Sequence, residues 1–296
     1  MNIIKPKKLK KGDLISIIAP CGDIDENYVQ NGVKFFEKLG YRVKLGKHVF
    51  DKYRYMAGLD EDRSADINDA FEDDDVDMIL CARGGYGAIR LIDKINYDII
   101  AKNPKIFCGY SDVSLLSAII LKRTGLITFS SPMVKGDFQE CEINDYTIEH
   151  FFSTLTSDEI TLTPVSNKVY RSGICEGIMF GGNLATITSL CGIDFIPDDK
   201  FIFFAEDLNE PVYKIDKYFN QLLNIDKFRN NISGIVLGDF LSLEDEPMLD
   251  ELFKEISDRL KIPVYGGYAI SHSKQKATIP YGGFAALNSE KLVIKI

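Results

Sequence analysis

The chain has 296 residues, 45% of them hydrophobic and 27% charged, with a formal net charge of −9. That length and composition suit a globular protein with two moderate cores, and the negative field argues against nucleic acids and anionic membranes as partners. No stretch approaches the roughly 20 apolar residues that span a bilayer. The basic start MNIIKPKKLKKGD meets Asp13 before a short, strand-like LISIIAP, so no secretory leader is read and a soluble, cytoplasmic protein is expected.

In chain order, the first half alternates short β-rich runs with segments of helical period. DLISIIAP is followed by a helix over Glu26 to Leu39, YRVKL by a helix over Glu61 to Phe71, and VDMILCA by a helix over Tyr86 to Ile92. KIFCGY then leads into a helix over Asp112 to Lys122, and LITFS closes the series. Strands alternating with helices predict a doubly wound α/β domain on a parallel sheet, covering residues 1–153. The acidic run Glu72 to Asp77 reads as the solvated end of a helix.

Residues 154–172, TLTSDEITLTPVSNKVYRS, lack the period of a long helix and read as a linker. Residues 173–296 then mix the strands GICEGIMFG, KFIFFAE, ISGIVLGDF and KIPVYGG with helices over Asn183 to Cys191 and Val212 to Leu223. They end in ATIPYGGFAALNSEKLVIKI, which reads as a closing β-hairpin, so a smaller β-rich C-terminal domain is expected. The six cysteines, Cys21, Cys81, Cys108, Cys141, Cys175 and Cys191, contain no C-x-x-C pair and read as reduced, mostly buried thiols.

The sharpest local signal is KIFCGYSDVSLLSAIILKR, an apolar strand that turns through Tyr110 and Ser111 and launches a helix at Asp112. Such a turn exposes the serine hydroxyl at the carboxyl edge of the sheet, beside the free N–H groups of the new helix. Val113 stands where G-x-S-x-G would have its last glycine, and on spacing alone Ser111 or Asp112 could equally be a helix cap. A serine nucleophile needs a base, and the chain has three histidines. His48 and His150 read as packing or surface residues, whereas His272 lies in the irregular polar loop YAISHSKQKATIPYGG, where a side chain can be aimed at a site. The carboxylate that would orient it is Glu206 or Asp207, which follow the apolar run Phe201 to Ala205, and spacing leaves the two open. LCARGGYGAIRL sets three glycines after another strand, where backbone N–H groups can approach an oxyanion. Neither a dinucleotide fingerprint nor a P-loop is present.

Together and in order, IIAP, R-G-G-Y-G at Arg83, G-Y-S-D at Gly109, G-G-N-L at Gly181, F-x-E-D at Phe204 and a histidine loop closing on P-Y-G at Pro280 resemble the LD-carboxypeptidase family, the S66 serine peptidases. The resemblance runs over nearly the whole chain. It implies a Ser111, Glu206 and His272 triad, choosing Glu206 over Asp207, and an oxyanion hole from the backbone N–H groups of Asp112 and Gly85. It also implies a flavodoxin-like or amidotransferase-like N-terminal domain and a β-rich C-terminal one, with the triad divided between them, and a homodimer.

The activity implied is removal of the terminal D-alanine from murein tetrapeptides in peptidoglycan recycling, with no metal or organic cofactor. Arg83, beside the glycine turn, is a candidate for the substrate carboxylate because guanidinium binds carboxylates bidentately, and Asn183 of G-G-N-L is a second candidate contact. The nearest alternative keeps the triad and takes an aminoacyl-nucleotide analogue, as the microcin C immunity hydrolases of that family do. The tryptophan those enzymes set against the nucleobase is missing from this chain. A non-catalytic two-domain binding protein is the alternative from another class, but it gives no reason for the serine elbow, loop histidine and strand-end acid to occur together.

Overall fold

The structure, a computed structural model, describes residues 2–140, 142–242, 245–270 and 272–296. Its first half runs β1 (Leu14–Ile18), α1 (Glu26–Lys38), β2 (Arg42–Leu45), α2 (Asp60–Glu72), β3 (Val76–Cys81), α3 (Tyr97–Lys102), β4 (Ile106–Cys108), α4 (Val113–Thr124), β5 (Thr128–Ser130) and α5 (Asp145–Thr156). It continues with β6 (Glu159–Leu162), β7 (Lys168–Arg171), β8 (Cys175–Asn183), α6 (Leu184–Thr188), β9 (Phe201–Leu208), α7 (Val212–Leu223), α8 (Asp226–Asn231) and β10 (Ile232–Leu241). The last elements are α9 (Glu246–Leu260), β11 (Val264–Gly266), β12 (Ile279–Tyr281), β13 (Phe284–Leu287) and β14 (Leu292–Lys295).

The first sheet has the order β12-β5-β4-β3-β1-β2, in which β1 to β5 are parallel and β12 pairs antiparallel with β5. This is the doubly wound arrangement expected from the alternating pattern, with the flavodoxin-like order that the resemblance implied, and its strand order reverses between β1 and β3, where such sheets open a crevice at their carboxyl ends. The central strands are largely apolar because helices cover both faces: LISII of β1 and VDMILC of β3 are almost wholly buried. Helix α1 starts on Asp25, whose carboxylate accepts the Asn27 N–H, and turns Val29, Gly32 and Phe36 inward. Helix α4 is buried from Val113 to Leu121. It is apolar all round because it packs against the second half, at β8 and α6, as well as its own sheet.

The second sheet has the order β6-β14-β13-β8-β9-β10-β11-β7, with β8 to β11 parallel in the centre and antiparallel strands on either side. The fold class therefore agrees with the expectation, but the helix read over Asn183 to Cys191 is only α6, helices α3, α5, α8 and α9 were not read, and three further local readings differ. Residues 154–172 carry the end of α5 and the edge strands β6 and β7, which pair with β14 and β11. Their Ser, Thr and Pro content suits short, half-exposed edge strands as well as a linker. The closing hairpin is β13 and β14 alone, since β12 crosses to the first sheet. The helix read over Tyr86 to Ile92 is a short 3₁₀ turn, Ala88–Leu91, delayed by glycines at 85 and 87 with φ of 107° and 127°.

Among the described residues no helix is long and apolar enough to cross a membrane. Cys21, Cys81, Cys108 and Cys175 are buried unpaired thiols and Cys191 is a partly exposed one. Cys141 lies outside the described residues.

Candidate functional site

Ser111 leaves β4 with φ of 63°, a left-handed conformation that a non-glycine residue adopts only when its surroundings impose it. Two contacts impose it here. The Ser111 carbonyl accepts the Ser114 N–H at 2.9 Å, closing the first turn of α4. The buried Asp112 carboxylate accepts the Ala88 N–H at 2.9 Å and a hydrogen bond from the Cys21 thiol, which ties the elbow to the turn after β3. Burial pushes the Asp112 carboxyl up from its ordinary range. Asp112 does not use its side chain to cap α4; the Val113, Ser114 and Leu115 N–H groups donate instead to the carbonyls of Tyr110, Ser111 and Asp112.

Gly84 lies directly under the serine. A methyl group on it would stand 2.8 Å from Ser111 Cβ and 2.9 Å from Oγ, so only glycine lets the two turns touch. Gly85, next along, sits at the exposed crest of the same turn. Arg83 is half-buried at the β1 and β3 crevice, with its guanidinium against Gly22 and one nitrogen donating to the Asp23 carbonyl at 2.7 Å.

The carboxylate comes from the second sheet. Glu206 and Asp207 end β9 as neighbours, and strand alternation sends them to different faces. Asp207 accepts from Asn183 Nδ2 and from the Ala185 N–H, both at 2.9 Å, and burial pushes its carboxyl up to about 6. Glu206, 3% exposed, points the other way and holds His272 Nδ1 at 2.7 Å from Oε2. Spacing left Glu206 and Asp207 open; the geometry gives each a distinct task.

The two halves meet at the end of β8. A side chain at Gly182 would strike Ser114 Oγ at 2.5 Å, so glycine there allows β8 to lie against α4 just past Ser111. Asn183, the next residue, donates its N–H to Ser114 Oγ at 3.4 Å and pairs in register with Glu206. Its side-chain oxygen caps α6 by accepting the Thr186 N–H at 3.1 Å.

His272 stands in the loop between β11 and β12. Tyr110, one residue before Ser111, sets its ring edge-on to the imidazole at a centroid separation of 4.9 Å. The imidazole and the elbow therefore share one edge of the molecule. The loop is held from the first half by groups that sequence reading passed over. Thr147 Oγ1 on α5 donates to the Lys274 carbonyl at 2.8 Å and accepts the Lys276 N–H at 3.0 Å. His150 Nδ1 accepts the Thr278 N–H at 3.1 Å, and burial pulls this imidazole down to about 4. Lys276 is buried with Asp137 and Tyr110. No spacing rule links these positions, so nothing in the chain marks them as partners.

The third histidine, His48, hydrogen-bonds Asp51 at 2.7 Å and, with Asp62, forms the one grouping among the described residues that could hold a metal. It lies on the opposite side of the β1 strand end from the elbow's glycine turn and shares none of the site's contacts. A serine hydroxyl in a strained turn, backbone N–H donors beside it and a carboxylate-bound imidazole are the groups that acyl transfer to serine uses.

Comparison with known proteins agrees with this chemistry. The chain is 35% identical over 295 residues to a Bacillus subtilis (strain 168) protein named "Probable murein peptide carboxypeptidase", covering 96% of this chain and 92% of that one. Its fold matches muramoyltetrapeptide carboxypeptidase from Oxalobacter formigenes with a TM-score of 0.88 at 31% identity, over 96% and 99% of the two chains. It also matches an MccF-like protein from Bacillus anthracis str. Ames with a TM-score of 0.91 at 28% identity, over 99% of each. Residues 15–131 match the LD-carboxypeptidase N-terminal domain and residues 176–287 the LD-carboxypeptidase C-terminal domain, so the chain belongs to the LD-carboxypeptidase family.

Proposed function

We propose that this protein is a serine-type LD-carboxypeptidase that removes the terminal D-alanine from murein tetrapeptides in peptidoglycan recycling. The observation that carries the reading is the 2.7 Å contact between Glu206 and His272, next to a serine forced into a left-handed elbow. In this mechanism Ser111 Oγ attacks the carbonyl of the L-centre, and His272 Nε2 takes the hydroxyl proton as the C–O bond forms. The same proton then goes to the nitrogen of the departing D-alanine as the C–N bond breaks. Glu206 holds the imidazole by its other nitrogen and stabilises the imidazolium. The N–H groups of Asp112 and Gly85 face the oxyanion. Water, deprotonated by His272, then attacks the acyl-enzyme and releases the shortened peptide and Ser111.

Arg83 binds the free carboxylate of the leaving alanine, and Asn183 offers the peptide its remaining amide hydrogen. The reading includes a cytoplasmic homodimer, which sedimentation of the purified protein tests. Mass spectrometry of a murein tetrapeptide incubated with wild-type protein and with Ser111→Ala tests the reaction. Loss of one alanine with the wild type alone supports it, and an intact peptide with both refutes it.

The match to an MccF-like protein favours one second reading, hydrolysis of an aminoacyl-nucleotide analogue by the same groups. A parallel incubation with such an analogue separates the two.

A further inference from the structure

Lys276 follows His272 by four positions on a polar loop, where a lysine ordinarily reaches solvent. Here it is 4% exposed. Its ammonium lies 2.7 Å from Asp137 Oδ1, also buried, and donates to the Tyr110 hydroxyl at 3.1 Å. The three residues come from three separate segments: the His272 loop, the turn Val134–Phe138, and the residue before Ser111. The other Asp137 oxygen accepts the Met133 N–H at 3.0 Å, so the carboxylate is anchored at both ends. A buried ion pair like this is poor stabilisation, because desolvating two charges offsets most of their attraction, and apolar side chains of the same volume would do as well. Its cost makes sense if the pair fixes a geometry.

We infer that the Asp137–Lys276 pair, acting through the Tyr110 hydroxyl, positions the His272 imidazole against Ser111. The inference rests on the reading of Ser111 as nucleophile and His272 as base. Tyr110 is bonded to Ser111 through the backbone, and its ring meets the imidazole edge-on at 63°. Holding the phenol by its oxygen therefore fixes the wall against which His272 rests. Asp137 and Lys276 touch neither reacting atom and are positioning residues.

Among the described residues, the titratable groups around His272 are Glu206 on β9, Tyr110 at the elbow, Asp137 on the turn, and Lys276 on its own loop. The intact pair is neutral as a whole, so it orients the base without shifting the local charge. Breaking either half gives a different signature. Lys276→Met leaves Asp137 in surroundings that favour its protonated form, so orientation is lost while the charge near His272 is unchanged. Asp137→Asn leaves the Lys276 cation unbalanced, which disfavours the imidazolium and moves the acid limb of the pH profile to lower pH.

The test is the second-order rate of fluorophosphonate labelling of the full chain, followed by mass spectrometry from roughly pH 5 to 9, with Ser111→Ala as blank and a thermal melt of each variant. The expected results are labelling slowed about 10- to 100-fold in Tyr110→Phe and Lys276→Met, with full stoichiometry at long times, part of the rate restored in Lys276→Arg, and the acid limb lowered in Asp137→Asn. Variants that label at the wild-type rate with the wild-type profile overturn the inference. So does a loss that appears only as reduced stoichiometry at an unchanged rate constant. A wild type that does not label at any pH overturns the reading of Ser111 as nucleophile, and the inference with it.

Discussion

Glu206 Oε2 and His272 Nδ1 are 2.7 Å apart although 66 residues separate them in the chain. The contact turns Nδ1 toward the carboxylate, and in the proposed mechanism Nε2 serves the serine. Glu206→Gln keeps the shape but removes the charge that stabilises the imidazolium. Steady-state kinetics on a murein tetrapeptide should show kcat/KM lowered roughly 10³- to 10⁴-fold with a wild-type melt. Asp207→Asn should instead lose stability, because its two carboxylate oxygens hold Asn183 and the start of α6. The reverse order of effects would exchange the two roles.

Gly84→Ala places a methyl group 2.8 Å from Ser111 Cβ and 3.3 Å from the Asp112 nitrogen. Because the neighbour is the elbow itself, relief requires the serine to move. A misplacement near 1 Å costs on the order of 100-fold in rate. Fluorophosphonate labelling and the peptide assay should therefore both collapse in Gly84→Ala, and a variant that keeps its rate would show that the turn does not set the elbow.

The strain at Ser111 is itself measurable. Its φ of 63° costs a side-chain-bearing residue about 1 kcal/mol relative to glycine. Ser111→Gly and Ser111→Ala should both be inactive, but chemical denaturation should find the glycine variant about 1 kcal/mol more stable than the alanine variant. Equal stabilities would mean that the elbow stores no strain.

His150 contributes a distinct part of the pH dependence of stability. Its folded-state value is depressed to about 4 from 6.5 by burial, so between those values the unfolded chain binds the extra proton. Its contribution to stability is complete above 6.5 and is lost as the pH drops toward 4, about 3 kcal/mol in all. His150→Asn keeps an acceptor near the Thr278 N–H but does not titrate. Melting temperatures across this window should fall less steeply for the variant than for the wild type, and parallel curves would assign the acid sensitivity elsewhere.

Much of this protein is legible in one dimension. The parallel sheet follows from apolar runs such as LISII and VDMILC separated by helical periods, since a strand buried on both faces must be apolar throughout. The elbow is legible because strand, turn and helix are contiguous from Ile106 to Thr124. Helix α9 was not read from the sequence, although its signals are there: Asp245 caps it, and Leu249, Leu252, Phe253 and Ile256 recur at helical spacing on its buried face. The division of labour between Glu206 and Asp207 was not legible from spacing, because alternation says only that adjacent residues face opposite ways and not which way the site lies. Residues 154–172 could read as linker because an edge strand needs only a partner, and β11 and β14 are supplied from far along the chain. Lys276, Asp137, Tyr110 and His150 depend on tertiary structure altogether. A buried ion pair or a neutral histidine acceptor is made by the removal of water around groups that folding brings together, and no local pattern along the chain encodes that event.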